Sequence, residues 1–162
     1  MSGTANPAQS SGPARDAATD IQRWQTLLES IPYARHLGLE IVPDSTGVQV
    51  HLPFREALVG NVMLPALHGG VLGALIEITA RIAAQGEDAM ECRPRILDCN
   101  VDYLRSARTQ STFASAEIVR RGRRVVLVRV TCWQDRITAP VASARVQLLL
   151  DTVSAANPKE AR

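Results

Sequence analysis

Residues 69–85, GGVLGALIEITARIAAQ, decide the fold that this sequence predicts. The stretch carries only two charged residues, Glu77 and Arg81, and is long enough for a helix of at least four turns. Large apolar residues recur at helical spacing along one side: Val71, Leu72, Leu75, Ile78 and Ile82. The opposite stripe is small except for one carboxylate: Gly70, Gly73, Ala74 and Glu77. A helix that is apolar or small on almost every side is typical of a domain's centre, so we predict a helix from Gly69 to about Gln85 that is buried nearly all round.

Segments in which apolar and polar residues alternate predict strands on both sides of this helix. Before it, LGLEIV (37–42) and VQVHL (48–52) flank the turn-rich PDSTG and predict a hairpin. After it, four alternating segments predict a four-stranded meander: RILDCNVDYL (95–104), STFASAEIVRR (111–121), RRVVLVRVTCW (123–133) and PVASARVQLLL (140–150). Antiparallel strands around one apolar helix make an α+β fold.

The chain ahead of these strands predicts one short helix and a flexible leader. Residues 20–31 carry apolar side chains at helical spacing, with Thr19 or Asp20 as the cap and Pro32 as the stop. Residues 1–19 are rich in Ser, Ala, Gly and Pro and lack periodicity, which predicts a flexible leader. We therefore expect one domain over residues 20–151, followed by a flexible tail over residues 152–162.

The composition excludes several classes of protein. A chain of 162 residues is one domain's worth, and 46% hydrophobic content is too high for overall disorder. No apolar run approaches the roughly 20 residues of a membrane helix. A net charge of +2 and basic residues without interleaved aromatics argue against a nucleic-acid partner.

The cysteines and the first residues predict the compartment. Cys92, Cys99 and Cys132 are odd in number and lack metal-ligand spacing. The first residues lack the charged and then apolar run of a signal peptide. We expect reduced cysteines, no metal site, no membrane partner and a cytoplasmic location.

Glu77 is the most informative residue, because it is the only carboxylate between His68 and Arg81. Removing a carboxylate from water costs free energy, so we expect Glu77 to be paired or open to a cleft. One alternative is an i,i+4 ion pair with Arg81, in the favourable order along a helix. The other is a role in catalysis, which depends on the residues at the start of the same helix.

His68-Gly69-Gly70 lies where the helix should begin. First-turn N–H groups have no partner within a helix, and the helix dipole makes that end partially positive. Glycine lets a ligand approach these amides closely, so they could stabilise a carbonyl oxygen that becomes negative during acyl transfer. Two turns farther on, Glu77 could deprotonate a water or attack the carbonyl itself.

Several motifs together resemble one family. LHGGVLGALIE (67–77) follows a hairpin and precedes DCNVDYLRSA (98–107) and VRRGRRVV (119–126). This arrangement resembles the hotdog-fold acyl-CoA thioesterases of the 4-hydroxybenzoyl-CoA thioesterase superfamily, and most of all the phenylacetate-degradation, PaaI-like branch. The resemblance covers about residues 30 to 150. It implies a curved antiparallel β-sheet wrapped around the long central helix, and a homodimer or homotetramer whose active sites lie between subunits.

The resemblance also implies roles for individual residues. Glu77 would be the general base or nucleophile, and the Gly69 backbone N–H would polarise the thioester carbonyl. His68 would buttress the loop or contact the thioester, and Gly70 would belong to the substrate-binding residues. Asn61, seven residues before His68, would help to place the water or the carbonyl. The products would be coenzyme A and a carboxylic acid, with no metal and no cofactor beyond the coenzyme A of the substrate.

The densest positive cluster surrounds a predicted turn: Arg120, Arg121, Gly122, Arg123 and Arg124. One interpretation is a solvated hairpin tip. The other is phosphate recognition, because guanidinium groups bind phosphate through two parallel hydrogen bonds and stay charged. In the resembled family, residues near this turn contact the nucleotide part of coenzyme A, so we include the cluster among the substrate-binding candidates.

Hydrolysis of an acyl-CoA thioester is thus the leading hypothesis, and two alternatives stay open. The same fold could hydrate or dehydrate an acyl thioester, with His68 and Glu77 facing one another. The chain could also be a non-catalytic acyl-CoA-binding protein in which Glu77 merely pairs with Arg81. The spacing does not identify the acyl group, choose between a dimer and a tetramer, or decide whether Glu77 is base or nucleophile.

Overall fold

A computed structural model describes residues 17–42, 48–61, 63–86 and 92–152 of the chain. These residues form three α-helices, α1 (Ala17–Ser30), α2 (Pro32–Leu37) and α3 (Gly69–Gln85), and one short 3-10 helix (Glu56–Leu58). They form eight strands: β1 (Glu40–Val42), β2 (Gln49–Leu52), β3 (Val59–Asn61), β4 (Ala66–Leu67), β5 (Cys92–Tyr103), β6 (Thr112–Arg121), β7 (Val125–Trp133) and β8 (Ala142–Thr152). The predicted leader and tail lie outside the described residues, apart from residues 17–19, which begin α1, and Thr152, which ends β8.

The helix predicted for residues 20–31 corresponds to α1, but Pro32 does not end the helical region. Pro32 occupies the first turn of α2, where a proline loses no backbone hydrogen bond. Gly38 ends α2 with a φ of 68°, a left-handed conformation that glycine adopts without strain. The strand predicted from residue 37 therefore begins only at Glu40.

Six strands form one antiparallel sheet in the order β1-β2-β6-β7-β8-β5. The β1–β2 hairpin is confirmed, and β6, β7 and β8 form the predicted meander. The prediction is wrong for β5, which pairs with β8 at the far edge, while β2 lies beside β6. Between β2 and β5 the chain passes over the sheet along α3, so these two strands lie on opposite sides of the meander.

One face of the sheet packs against α3 and forms the core. The predicted inward residues of β7 and β8 are all buried: Val126, Val128, Val130, Cys132, Ala142, Ala144, Val146 and Leu148. The apolar stripe predicted on α3 is buried as well: Val71, Leu72, Leu75, Ile78 and Ile82. The outer face of β8 carries the exposed Arg145 and Gln147. This is the predicted α+β architecture, a sheet packed around one long central helix.

The prediction that α3 is buried nearly all round is wrong in the single chain. Gly70 and Glu77 are exposed, and Gly73, Ala74 and Arg81 are half-buried. The physical reason is that one sheet covers only one side of a helix. We call these five residues the open stripe of α3.

Candidate active site

Helix α3 begins at the His68-Gly69-Gly70 segment that the sequence singled out. His68 precedes the first helical residue in an extended conformation, and its ring Nδ1 accepts a hydrogen bond from the Gly70 N–H at 2.9 Å. His68 is therefore the N-cap of α3, and the Gly70 N–H is already partnered. The N–H of Gly69, at the first helical position, has no acceptor within the helix. Of the two glycine amides, helix geometry leaves that of Gly69 for a substrate oxygen.

A small antiparallel hairpin of β3 and β4 supports this segment, and the sequence analysis did not predict it. The His68 N–H donates to the Leu58 carbonyl at 2.9 Å. Gly60 packs so closely that a Cβ atom there would lie 2.6 Å from His68 Cα. Asn61 ends β3 opposite Ala66, but its side chain lies outside the described part of the structure. The role assigned to Asn61 stays a prediction.

The end of β5 lies against the start of α3. The Tyr103 hydroxyl donates to the Gly69 carbonyl at 2.9 Å. An added Cβ atom at Gly69 would meet the phenol ring at 3.6 Å, and one at Gly73 would meet the hydroxyl oxygen at 3.6 Å. Tyr103 lies in the DCNVDYLRSA motif, but the sequence pattern does not predict this contact. The sequence does carry one signal for it. Gly69 and Gly73 lie on one face of the helix, and two glycines leave room for a large ring.

Glu77 lies two turns along the open stripe, near Cys99 of β5. Within the described residues, neither Glu77 nor Arg81 forms a hydrogen bond or an ion pair, so the i,i+4 pair between them is not formed. Burial raises the pKa of the Cys99 thiol, and the negative charges of Glu77 and Asp98 raise it further. The Glu77 carboxylate is thus within electrostatic range of Cys99 and is available to bind water.

The arginine cluster divides into two parts. Arg121 Nη2 donates to the Ala84 carbonyl at 2.7 Å and reaches the Ala83 carbonyl at 3.5 Å, so this guanidinium caps the C-terminal end of α3. The rest of the cluster lines a groove of about 500 Å³ with an apolar floor: Arg120, Gly122, Arg123, Arg124, Val125 and Leu127. Cations beside apolar side chains suit a ligand that carries both phosphates and a flat apolar group.

The remaining thiols and acidic groups do not form a second centre in the part of the chain that the structure describes. Cys99 and Cys132 are free thiols, and burial raises the pKa of Cys132 to about 12. No three His, Cys, Asp or Glu side chains among the described residues are grouped to hold a metal ion. None of the described helices is both long enough and apolar enough to cross a membrane.

Comparisons with known proteins identify the family and the relatives of this chain. A family model described as the thioesterase superfamily matches residues 64–140, a range that includes α3, β5, β6 and β7. The medium/long-chain acyl-CoA thioesterase YigI of Salmonella typhimurium is 29% identical over 114 residues, which cover 62% of this chain and 74% of the relative. A Mycobacterium tuberculosis protein provisionally named an esterase is 32% identical over 121 residues, which cover 68% of this chain and 81% of the relative.

A solved structure shares the architecture. The thioesterase of Haemophilus influenzae superposes with a TM-score of 0.71 at 22% identity. The match covers 82% of this chain and 90% of that protein. At this identity the similarity concerns the fold alone.

Proposed function

We propose that this chain, which has the hotdog fold and belongs to the thioesterase superfamily, hydrolyses acyl-CoA thioesters to a carboxylic acid and coenzyme A. Membership of the family makes the chain a thioester hydrolase. That the thiol released is coenzyme A is the part that we propose. The observation that carries the hydrolysis is the Glu77 carboxylate, which has no hydrogen bond or ion pair within the described residues and lies on the open stripe that begins at the α3 amides. The YigI relatives, named as medium/long-chain acyl-CoA thioesterases, support the choice of substrate class.

The proposed reaction uses two groups of α3. The thioester carbonyl oxygen accepts a hydrogen bond from the Gly69 N–H, which stabilises the negative charge that develops there. Glu77 takes a proton from water while the water oxygen bonds to the carbonyl carbon. The tetrahedral intermediate then expels coenzyme A as the carbon–sulfur bond breaks, and the proton passes to the departing thiolate. The alternative, in which Glu77 itself attacks the carbonyl, uses the same two groups.

We further propose that each site is completed by a second copy of the chain. Gly69 and Glu77 are eight residues apart on a straight helix, so their Cα atoms are separated by about 12 Å along the axis. This is farther than a glutamate side chain reaches. Antiparallel packing of two α3 helices through their open stripes would bring Gly69 of one copy to the partner subunit's Glu77. The outer edge of β5, which pairs with no strand among the described residues, and the small residues of the open stripe favour such a homodimer or a tetramer built from it.

The groove at the β6–β7 hairpin is the proposed site for the nucleotide part of coenzyme A. Arg120, Arg123 and Arg124 would pair with the phosphates, and the apolar floor of Val125 and Leu127 would contact the adenine. Arg121 is excluded from this role because its guanidinium is engaged at the end of α3. Three of the four guanidinium groups in the arginine cluster are therefore proposed to bind the phosphates.

The test is a thiol-release assay with purified protein over short, medium, long and aryl acyl-CoAs. We expect equimolar coenzyme A and free acid from at least one acyl class. Because the YigI relative is named a medium/long-chain acyl-CoA thioesterase, we expect that class to be medium or long chains. A hydroxyacyl or enoyl thioester without free thiol would instead support the hydratase or dehydratase alternative. Tight acyl-CoA binding without turnover across the whole panel would support the non-catalytic alternative and overturn the proposal.

A further inference from the structure

Two hydrogen bonds meet on a single peptide group at the start of α3. The Tyr103 hydroxyl donates to the carbonyl of the peptide that joins Gly69 to Gly70, at 2.9 Å. The N–H of the same peptide donates to His68 Nδ1, also at 2.9 Å. Because hydrogen bonds in a chain polarise one another, a donor on the carbonyl side strengthens the donor on the N–H side. Tyr103 is therefore coupled to His68 through one peptide plane.

The second of these bonds determines where the neutral His68 ring carries its proton. A backbone N–H only donates, so Nδ1 must be the unprotonated nitrogen. The proton then resides on Nε2, which becomes a donor. The ring is held between two glycines: Cδ2 lies on the side of Gly60, and Nδ1 and Cε1 lie on the side of Gly70. Since His68 is exposed, its Nε2–H is presented outward at the amino end of α3.

The position of Tyr103 is specified by the same glycines that define the site. Its ring lies in van der Waals distance of Gly69, 3.6 Å from the position of an added Cβ atom, and its hydroxyl oxygen lies 3.6 Å from that position at Gly73. It is also the last residue of β5, paired with the buried Ala142 of β8, so the strand fixes where the ring stands. Tyr103 is nevertheless 55% exposed in the single chain, which is unusual for an aromatic residue that only fills a core.

From these contacts we infer that Tyr103 is a positioning residue of the thioesterase site. Its hydroxyl orients the Gly69–Gly70 peptide, and that peptide holds neutral His68 with Nε2–H as a donor to the thioester. The Gly69 N–H, the proposed oxyanion donor, belongs to the preceding peptide, which is joined to this plane through the Gly69 Cα atom. The inference rests on the proposed function for its catalytic part, whereas the effect on the His68 tautomer is independent of any activity.

The experiment compares the wild-type protein with Tyr103→Phe, which keeps the ring beside Gly69 and removes only the hydroxyl. Tyr33→Phe is the matched control, because Tyr33 is also exposed but stacks on His36 in α2. The first readout is the side-chain ¹⁵N spectrum of the histidines, of which the chain has three, with His68 assigned from a His68→Gln variant. We expect an Nε2–H tautomer for His68 in the wild type and in Tyr33→Phe. In Tyr103→Phe the two nitrogen shifts should move toward tautomer averaging.

The second readout is steady-state hydrolysis of the best acyl-CoA. Losing one positioning hydrogen bond should lower kcat about fivefold to tenfold, with KM within twofold, since the hydroxyl does not contact substrate. The inference is overturned if either readout in Tyr103→Phe matches the wild type. If the wild type itself releases no thiol from any substrate, the proposed function fails, while the ¹⁵N spectra still decide whether Tyr103 sets the His68 tautomer.

Discussion

Gly60 and His68 form the tightest contact at the site. The backbone of His68 occupies the position that a side chain at residue 60 would need, so β3 can approach the start of α3 only with glycine there. The contact fixes the His68 backbone, whose carbonyl accepts the first hydrogen bonds of α3 from the Val71 and Leu72 N–H groups. A single hydrogen atom in place of a methyl group thus sets the geometry of the helix start.

Gly60→Ala should destabilise the protein and impair turnover. The new Cβ atom would lie 2.6 Å from His68 Cα, and such overpacking typically costs about 1–3 kcal/mol. The measurement is the free energy of unfolding in urea. Gly69→Ala is the control, because its Cβ atom finds ordinary contacts at 3.6 Å and its unfolding free energy should not fall. Equal stability of the two variants would contradict the close packing at Gly60.

The Cys99 thiol reports on the charge of Glu77. Because the Glu77 carboxylate helps to raise the pKa of Cys99, Glu77→Gln should lower that pKa and increase the thiolate fraction at pH 8. Alkylation of Cys99, followed by mass spectrometry of each cysteine, should therefore be faster in the variant. Cys132, with a pKa of about 12 from burial, should stay unreactive in both proteins. An unchanged Cys99 rate would place Glu77 away from β5.

At the scale of elements, the two ends of α3 are held by side chains from different strands. Tyr103 of β5 contacts the first residue of the helix, and Arg121 of β6 contacts the last-turn carbonyls. A guanidinium at the C-terminal end also compensates the negative end of the helix dipole. The arginine-rich hairpin therefore combines a structural cation with cations that are free for a ligand.

Arg121→Ala and Arg123→Ala should separate these two roles. Arg121→Ala removes the cap of α3 and should cost about 1 kcal/mol of stability, with a lower Tm and little direct effect on KM. Arg123→Ala should keep the wild-type Tm and raise KM for acyl-CoA severalfold. Thermal melts and KM values of the two variants check both statements. A raised KM in Arg121→Ala at unchanged Tm would contradict the capping role and would indicate that Arg121 binds substrate.

Most of the helices and strands could be predicted from the sequence, because the residues that face the core recur at the period of a helix or of a strand. Helix α3 was predicted from an almost uncharged run, and β7 from alternating valines, since each pattern records which side faces the core. The pattern does not record which strand is the neighbour, so β5 was predicted beside β6. Helix α2 is too short to show a period, and its Pro32 suits a helix start as well as a stop.

The candidate site was only partly predictable for a related reason. His68, Gly69 and Glu77 follow one another along one helix, so their spacing is visible in the sequence. Tyr103 meets Gly69, and Arg121 meets Ala84, only because the sheet brings separate segments to the two ends of α3. Contacts of this kind depend on strand order and register, which no local pattern contains.

In the whole molecule, the open stripe of α3 lies near β5, which is an edge strand of the sheet among the described residues. Each exposes groups that a second copy can cover, and under the proposed function the separation of Gly69 from Glu77 along the helix would require that copy for catalysis. The 17.5 kDa chain is accordingly expected to work as a dimer or as a dimer of dimers. Each copy would supply the amide of one site and the carboxylate of the other.

Mixing two inactive variants tests whether the sites are shared. Gly69→Pro removes the amide N–H, and proline is favoured at the first helical position when the preceding residue is extended, as His68 is. Glu77→Gln removes the carboxylate. Subunits refolded together at equal amounts should regain about a quarter of wild-type activity, because half of the dimers then carry one intact site. No recovery, with heterodimers demonstrated by mass spectrometry, would place both groups of a site in one chain.

The most direct test of the account is the rate of coenzyme A release by Glu77→Gln on the best substrate, at matched protein concentration and oligomeric mass. Glu117→Gln is the control, since Glu117 is also an exposed carboxylate, on the outer face of β6, and is paired with Arg129. The account predicts that Glu77→Gln loses about 10²- to 10⁴-fold in kcat, with the Tm of the wild type, while Glu117→Gln keeps its activity. Turnover by Glu77→Gln at the wild-type rate would contradict the assignment of Glu77 as the group that activates water or attacks the thioester.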